Sequence, residues 1–379
     1  MSSAVWITGP PASGKSVLAR AAAAELAAAG EPVLVLELYE IRQVVTPSPS
    51  YTDTERDVVY RALVFMASAL TAARTSVIVD ATAHRRAWRD LARQRISRFA
   101  EVQLLCPLEV LREREAQRTG GHAPHGIYAR AGLPGSVVPG VDVPYEPALR
   151  PDLTIDTRQE PRDAAVRKIV ELVRKLAGPN TRRDETRPPA WAIWVTGLPG
   201  SGKTTLSRKV AETLATRSTD VHILEFTEFR RALLDDGAES DATRELVHRS
   251  LAYTAKLLTD AGVPVIVDAT APRRAWRRLA RQLITHFGEV QLVCPNDLCS
   301  ERERATRWRL GSRPWPPAVE RPAPAPDIAL GYEPSLSPEL ALHTDHDFSV
   351  NVDAFVRLAE RLQRAATAAG YAPRPAVDS

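Results

Sequence analysis

Gly9-Pro10-Pro11-Ala12-Ser13-Gly14-Lys15-Ser16 and, further along, Gly197-Leu198-Pro199-Gly200-Ser201-Gly202-Lys203-Thr204 both spell GxxxxGK[ST]. Each copy follows an apolar run (Ala4-Val5-Trp6-Ile7; Ala192-Ile193-Trp194-Val195) and opens an alanine- and leucine-rich stretch, the strand–loop–helix setting in which this signature cradles phosphate. Backbone amides of such a loop and the positive end of the next helix bind polyphosphate oxygens. The cofactor-binding set is therefore Gly9, Ser13, Gly14, Lys15 and Ser16 in one copy and Gly197, Ser201, Gly202, Lys203 and Thr204 in the other. The lysines reach the outer phosphates, and the Ser16 and Thr204 hydroxyls take Mg²⁺. A nucleoside triphosphate with Mg²⁺ is the expected cofactor.

The repetition extends well past the loops. Lys15 and Lys203, Asp80 and Asp268, and Cys106 and Cys294 all lie 188 positions apart (203 − 15 = 188), so more than a hundred residues align without a gap. VIVDATAHRRAWRDLARQRISRFAEVQLLCP at 77–107 is matched by VIVDATAPRRAWRRLARQLITHFGEVQLVCP at 265–295. So long a period means two whole domains rather than a solenoid. The 379 residues suit that count. We place the domains at 1–178 and 190–379, joined by a linker at 179–189, where GPNTRRDETRPP combines Gly, Pro and charge without apolar periodicity.

Within the first half, VWITG reads as a strand, Lys15 to Ala29 as a helix, PVLVLEL as a strand, Asp53 to Arg74 as a helix, SVIVDAT as a strand, Arg85 to Phe99 as a helix and VQLLC as a strand. Short Val/Ile/Leu runs between long helices predict an α/β fold with a mostly parallel sheet covered on both faces. Ligands of such sheets bind beyond the carboxyl ends of the strands, where the loop, Glu37 and Asp80 emerge. Asp80 and Asp268 stand where an acidic residue can hold Mg²⁺, its water or an acceptor hydroxyl; capping the next helix is the other reading. Arg85-Arg86 and Arg273-Arg274 open the following helix, against its dipole, which points to an anion opposite them.

No apolar run is long enough to span a bilayer, and the first strand begins almost at Met1, so a cytoplasmic location is expected. Three cysteines, Cys106, Cys294 and Cys299, are too few for a disulfide scaffold or zinc site; Cys106 and Cys294 read as packed core. A net charge of +4 with arginine spread through both halves and no basic–aromatic clustering argues against a nucleic-acid partner.

At this point the chain resembles adenylyl-sulfate kinase, the family that phosphorylates the ribose 3′-hydroxyl of adenylyl sulfate. The resemblance rests on the order of phosphate loop, acidic turn ending in Arg and arginine-rich helix. It also rests on a closing Gly126-Ile127-Tyr128-Ala129-Arg130-Ala131, Gly140-Val141-Asp142-Val143-Pro144-Tyr145-Glu146-Pro147 and Asp156-Thr157. The second half keeps Gly331-Tyr332-Glu333-Pro334 and Thr344 after a proline-rich stretch. It implies two P-loop NTPase domains of the nucleoside-kinase kind and phosphoryl transfer from Mg-ATP to an alcohol. It also implies catalytic roles for Lys15, Asp80 and Glu37 and for Lys203, Asp268 and Glu225, with metal held by Ser16, Asp80, Thr204 and Asp268. Substrate contacts fall to Arg42, Arg56, Tyr51 and Arg86 and to Arg230, Arg244 and Arg274. Arg112, Arg114 and Arg118, with Arg302, Arg304 and Arg307, are candidates to close over the transferring group.

Departures gather at the acceptor end. The family's LDGDNxR turn is Leu36-Glu37-Leu38-Tyr39-Glu40-Ile41-Arg42 here and Leu224-Glu225-Phe226-Thr227-Glu228-Phe229-Arg230 in the second half, keeping the first acid and losing the second. The family's two base-sandwiching rings correspond to Tyr51 and Val138, and to Glu239 and a remodelled segment. The expected acceptor is thus a small anionic or nucleotide-like alcohol. Two alternatives stay open: one working half beside a nucleotide-binding regulatory half, and a polynucleotide 5′-hydroxyl kinase. An intrachain pseudo-dimer of the halves is also expected.

Overall fold

The computed structural model describes residues 2–120, 124–178, 190–234, 240–309, 331–344 and 347–369, excepting the side chains of 303, 304 and 306–309. The expected linker, Glu239, the proline-rich stretch and the side chains of Arg304 and Arg307 lie outside these residues. The described residues fall into two compact units, one from each half of the chain.

In the first unit the order is β1 (Ala4–Thr8), α1 (Lys15–Ala28), β2 (Leu34–Glu37), α2 (Leu38–Val45), α3 (Asp53–Ala72), β3 (Val77–Asp80), α4 (Arg86–Arg95), β4 (Phe99–Leu105), α5 (Leu108–Ala116), β5 (Leu153–Asp156) and α6 (Arg162–Ala177). The five strands are all parallel, in the order β2-β3-β1-β4-β5. Burial on both faces requires strands that are apolar throughout, and β1 and β3 are buried at every residue. One face packs α1 and α6 over Val5, Ile7, Val102 and Leu104 through Leu18, Leu26, Ile169 and Val173.

The second unit repeats the plan: β6 (Trp191–Thr196), α7 (Lys203–Thr216), β7 (His222–Glu225), α8 (Phe226–Leu233), α9 (Asp241–Asp260), β8 (Val265–Asp268), α10 (Arg274–Leu283), β9 (His286–Val293), α11 (Asn296–Arg309), β10 (Leu340–His343) and α12 (Phe348–Ala369). Its parallel order is β7-β8-β6-β9-β10. Phe355 and Leu358 of α12 cover Ile193 and Val290 here.

Two expectations need correction. The helix predicted over Arg85 to Phe99 stops at Arg95, because Ile96 is already extended (φ −111°, ψ 112°) and Phe99 pairs with Ala4 as the first residue of β4. The strand read as PVLVLEL ends at Glu37, and the sequence reading passed over α2, an amphipathic turn pair burying Leu38, Ile41 and Val45. The cysteines also differ from expectation. Cys106 and Cys294 are half-buried just past β4 and β9, whereas Cys299 is buried; all three are free. Among the described residues no helix is long and apolar enough to cross a membrane.

Candidate functional site

Between each first strand and first helix the chain turns through two glycines with distinct tasks. A Cβ on Gly9 would sit 2.7 Å from Ser13 Oγ and 3.1 Å from the Leu104 carbonyl oxygen, so the loop closes only on hydrogen. Gly14 enters α1 at φ 97° and Gly202 enters α7 at φ 94°, left-handed geometry that a side chain disfavours. Neither helix has a side-chain cap or an acid in its first turn. The first amides of α1 and α7 therefore face the loop as donors suited to an anion. The Ser13 and Ser201 hydroxyls are buried there without a hydrogen-bond partner, donors of the kind phosphate oxygens accept from.

Lys15 Nζ folds back to donate to the Gly9 and Pro10 carbonyls at 3.1 and 3.0 Å; Lys203 does the same to Gly197 and Leu198 at 3.1 and 3.0 Å. Burial pushes the Lys15 ammonium down to about 8, against the opposing pull of Asp80. Because an anionic nucleotide favours the protonated lysine, the free protein yields this proton near pH 8 while the bound protein retains it. Above pH 8 nucleotide affinity of the first half is therefore expected to weaken by up to about tenfold per pH unit, and below it to level off. Calorimetric titration of ADP into a Lys203→Ala background from pH 7 to 10 reads the slope; a flat profile would contradict it.

Asp80 and Asp268 end β3 and β8 and stand across the ladder from Glu37 and Glu225, the last residues of β2 and β7. Both aspartates are raised, first by burial and against that by their lysines and by the hydroxyl next door. Thr204 Oγ1 donates to Asp268 Oδ2, and Ser16 hydrogen-bonds Asp80. A carboxylate and a hydroxyl held together beside a phosphate loop are hard oxygen donors, fitting Mg²⁺ completed by phosphate and water. Among the described residues no three His, Cys, Asp or Glu side chains form an all-protein metal site.

A cleft of about 660 Å³ in the first unit joins these groups, lined among others by Lys15, Ser16, Glu37, Tyr39 and Asp80 at one end and by Arg114, Arg118 and Thr157 at the other. Glu37 is gripped by Arg20, with both oxygens at 2.5 and 2.6 Å, and Glu225 by Arg208 at 2.7 Å. Tyr39, passed over in the sequence reading, takes the place of the second acid of the turn; burial holds its phenol protonated. Arg42 and Arg56 converge on the Tyr51 ring at 5.1 and 5.9 Å, Arg42 also pairing with Glu55 at 2.8 Å and Arg56 donating to the Val137 carbonyl. Val138 is core against Leu111 and Tyr128. In the second unit Thr243 replaces Glu55 and Arg244 pairs with Asp241 at 2.8 Å; Arg230, on α8, is half-buried.

The anion facing the arginines of the next helix belongs to the chain itself. Glu146 Oε2 accepts the Arg86 amide at 2.7 Å and Glu333 Oε2 the Arg274 amide at 2.8 Å, capping α4 and α10, while Arg85 reaches Asp53 at 2.8 Å. The Arg86 side chain lies 3.7 Å from Asp90 and that of Arg274 3.4 Å from Glu333. Of the closing arginines, Arg114 is committed to Thr157, at 3.0 Å to the hydroxyl and 2.7 Å to the carbonyl, as Arg302 is to Thr344; Arg112 is exposed. Tyr128 donates to the Pro11 carbonyl at 2.9 Å, seating the closing segment on the phosphate loop.

One difference between the loops is steric. At Gly200 (φ +77°) a Cβ would lie 2.1 Å from the Cys299 carbonyl oxygen, whereas the matching Ala12 sits at φ +61° without displacing its neighbours. Gly200→Ala is expected to push α11 off the loop, costing the second half about 1–3 kcal/mol and weakening its ADP affinity; Ala12→Gly is expected to stay within about 1 kcal/mol. Urea denaturation and ADP titration of both variants check this.

The profile of the adenylylsulphate kinase family matches residues 1–156 and 189–310. A probable adenylyl-sulfate kinase of Archaeoglobus fulgidus is 35% identical over 164 residues, covering 43% of this chain and 100% of its own. An adenylyl-sulfate kinase of a Synechococcus species (strain JA-3-3Ab) is 33% identical over 172 residues, 45% of this chain and 93% of its own. Among solved structures, the Mycobacterium tuberculosis APS kinase in complex with AMPPNP and APS aligns over 46% of this chain and 99% of its own at 27% identity, with a TM-score of 0.36.

Proposed function

The chain belongs to the adenylylsulphate kinase family and is a phosphotransferase acting on a hydroxyl group, and on that premise we propose that each half transfers the γ-phosphoryl group of Mg-ATP to the alcohol of a small anionic or nucleotide-like acceptor, adenylyl sulfate being the first to try. One observation carries this reading. In both units an uncapped helix start, its first lysine (buried in the first unit, half-buried in the second) and an aspartate ending the neighbouring strand meet at the carboxyl end of the sheet.

Phosphoryl transfer asks a protein mainly for positioning and charge. Mg²⁺, when bound, would neutralise phosphate charge, with Ser16 and Asp80 or Thr204 and Asp268 holding it. Lys15 and Lys203 would exchange their loop carbonyls for outer phosphate oxygens. Glu37 and Glu225 stand across the ladder from the aspartates, placed to take the acceptor's proton once Arg20 or Arg208 yields. The convergence of Arg42 and Arg56 on Tyr51 favours an acceptor carrying negative charge beside a planar group. A second reading, one working half beside a regulatory one, draws support from the exchanged acceptor walls: Tyr39, Glu55 and Tyr60 against Thr227, Thr243 and His248. The domain division at 178 and 190 belongs to the same proposal.

The test is ATP consumption by the full-length protein with a panel of alcohols that includes adenylyl sulfate, the phosphorylated product being identified by mass. Stimulation by an anionic nucleotide is the expected result. Absence of stimulation by every alcohol would sink the proposal.

A further inference from the structure

The turn after each aspartate is held in an unusual way. Of the four carbonyls following Asp80, that of Ala81 accepts from Trp6 Nε1 at 3.0 Å, that of Thr82 from Thr8 Oγ1 at 2.6 Å, that of Ala83 from Arg89 and that of His84 from the Glu146 amide at 2.8 Å. The second unit repeats the set: Trp194 to Ala269 at 3.1 Å, Thr196 to Thr270 at 2.6 Å, Arg277 to Ala271, and the Glu333 amide to Pro272 at 2.9 Å. Thr8 and Thr196 directly precede the phosphate loops and also meet the hydroxyls of Tyr145 and Tyr332 at 3.0 and 3.2 Å.

Arg89 is the node. It is fully buried, pairs with Glu101 of β4 at 2.6 Å, donates to Ala83 and to the Glu146 carbonyl, and lies over the Tyr145 ring at 5.6 Å. Arg277 does likewise with Glu289 at 2.7 Å, the Glu333 carbonyl at 2.6 Å and the Tyr332 ring at 5.6 Å. A buried ion pair is seldom the most stable filling for a core, since an apolar replacement often does as well. Here the fork reaches two segments of the site, and it takes the carbonyl of an alanine at φ 41° (40° in the second unit), a conformation that side chains resist and surroundings must hold.

Building on the kinase reading above, we propose that Arg89 and Arg277 are positioning residues: by fixing the Asp80–Ala83 and Asp268–Ala271 turns to the closing Tyr-Glu segments, they set the aspartates for the metal of the bound nucleotide. The test uses the full-length Lys203→Ala protein, so that binding reports the first half, and compares it with the same protein carrying Arg89→Lys. Lysine keeps the charge for Glu101 and loses the fork. ADP affinity is measured by calorimetry with EDTA and with Mg²⁺. Expected is a metal-free affinity within about twofold of the parent, together with a loss of tenfold or more in the tightening that Mg²⁺ confers. An unchanged Mg²⁺ effect, or metal-free and Mg²⁺ affinities that fall together, would overturn the positioning role. Should Arg89→Lys fail to fold, Thr8→Val cuts a single tie to the same turn and is expected to lower the Mg²⁺ effect in the same sense; no change there overturns the proposal. A parent that binds no ADP refutes the reading of the site, and the positioning role with it.

Discussion

Lys15→Ala and Lys203→Ala, made together in the full-length chain, are expected to lower ATP-dependent phosphoryl transfer at least a hundredfold, while each alone leaves the rate of the untouched half. Each ammonium is the charge that the loop aims at the outer phosphates, Lys15 from a buried position and Lys203 from a half-buried one, both held on the loop carbonyls. Removing one pre-aimed donor from a site of this kind costs about 10²–10³ in rate. Initial rates at saturating ATP and acceptor measure the three variants. If both halves turn over, each single variant retains a substantial share of the rate. If one half is regulatory, one single variant is silent and the other falls as far as the double. A double variant with the parental rate would remove the loops from the reaction.

Glu101→Ala is expected to destabilise the first unit by about 3–5 kcal/mol, the usual penalty for stranding the partner of a buried ion pair. Glu101 is only 4% exposed and Arg89 is completely buried, so water cannot take over the guanidinium. Arg93, 3.9 Å from the other carboxylate oxygen, is half solvent-facing and also pairs with Asp152 at 2.7 Å, so it loses less. Glu289→Ala is expected to do the same to the second unit, where Arg277 is 1% exposed. Urea denaturation followed by circular dichroism gives the cost, and replacing both members by apolar residues, as in Arg89→Met with Glu101→Leu, should recover much of it. Loss of less than about 1 kcal/mol in Glu101→Ala would show that the pair is hydrated.

Much of the fold was open to reading because parallel strands buried on both faces must be apolar throughout, and the repeat displayed each one twice. Boundaries failed where local pattern was ambiguous. Ile96 and Phe99 fit the apolar face of a helix as well as the start of a strand, and pairing of Phe99 with Ala4 decides the matter. At the site, the phosphate loops, Asp80 and Asp268 follow from sequence because their chemistry is local. The pairings of Glu37 with Arg20 and of Arg86 with Glu146 span 17 and 60 positions, and no local pattern joins them. Arg89 and Arg277 hid for a similar reason: inside RRAWR they look like one more solvated cation, and only the matching Glu101 and Glu289, twelve positions on in each half, hinted at burial.

Anchoring the post-aspartate turn by its carbonyls has a consequence for how such a sequence can drift. Every residue type offers the same carbonyl, so the turn can exchange side chains without loosening, while its distant holders cannot. The two halves record this: His84 has become Pro272, a residue without an amide hydrogen, and the carbonyl at that place is still taken by the glutamate amide at 2.9 Å. Trp6, Thr8, Arg89 and Glu101 are unchanged as Trp194, Thr196, Arg277 and Glu289. A turn so held can exchange a side chain while the path of its backbone stays set by residues far from it in sequence.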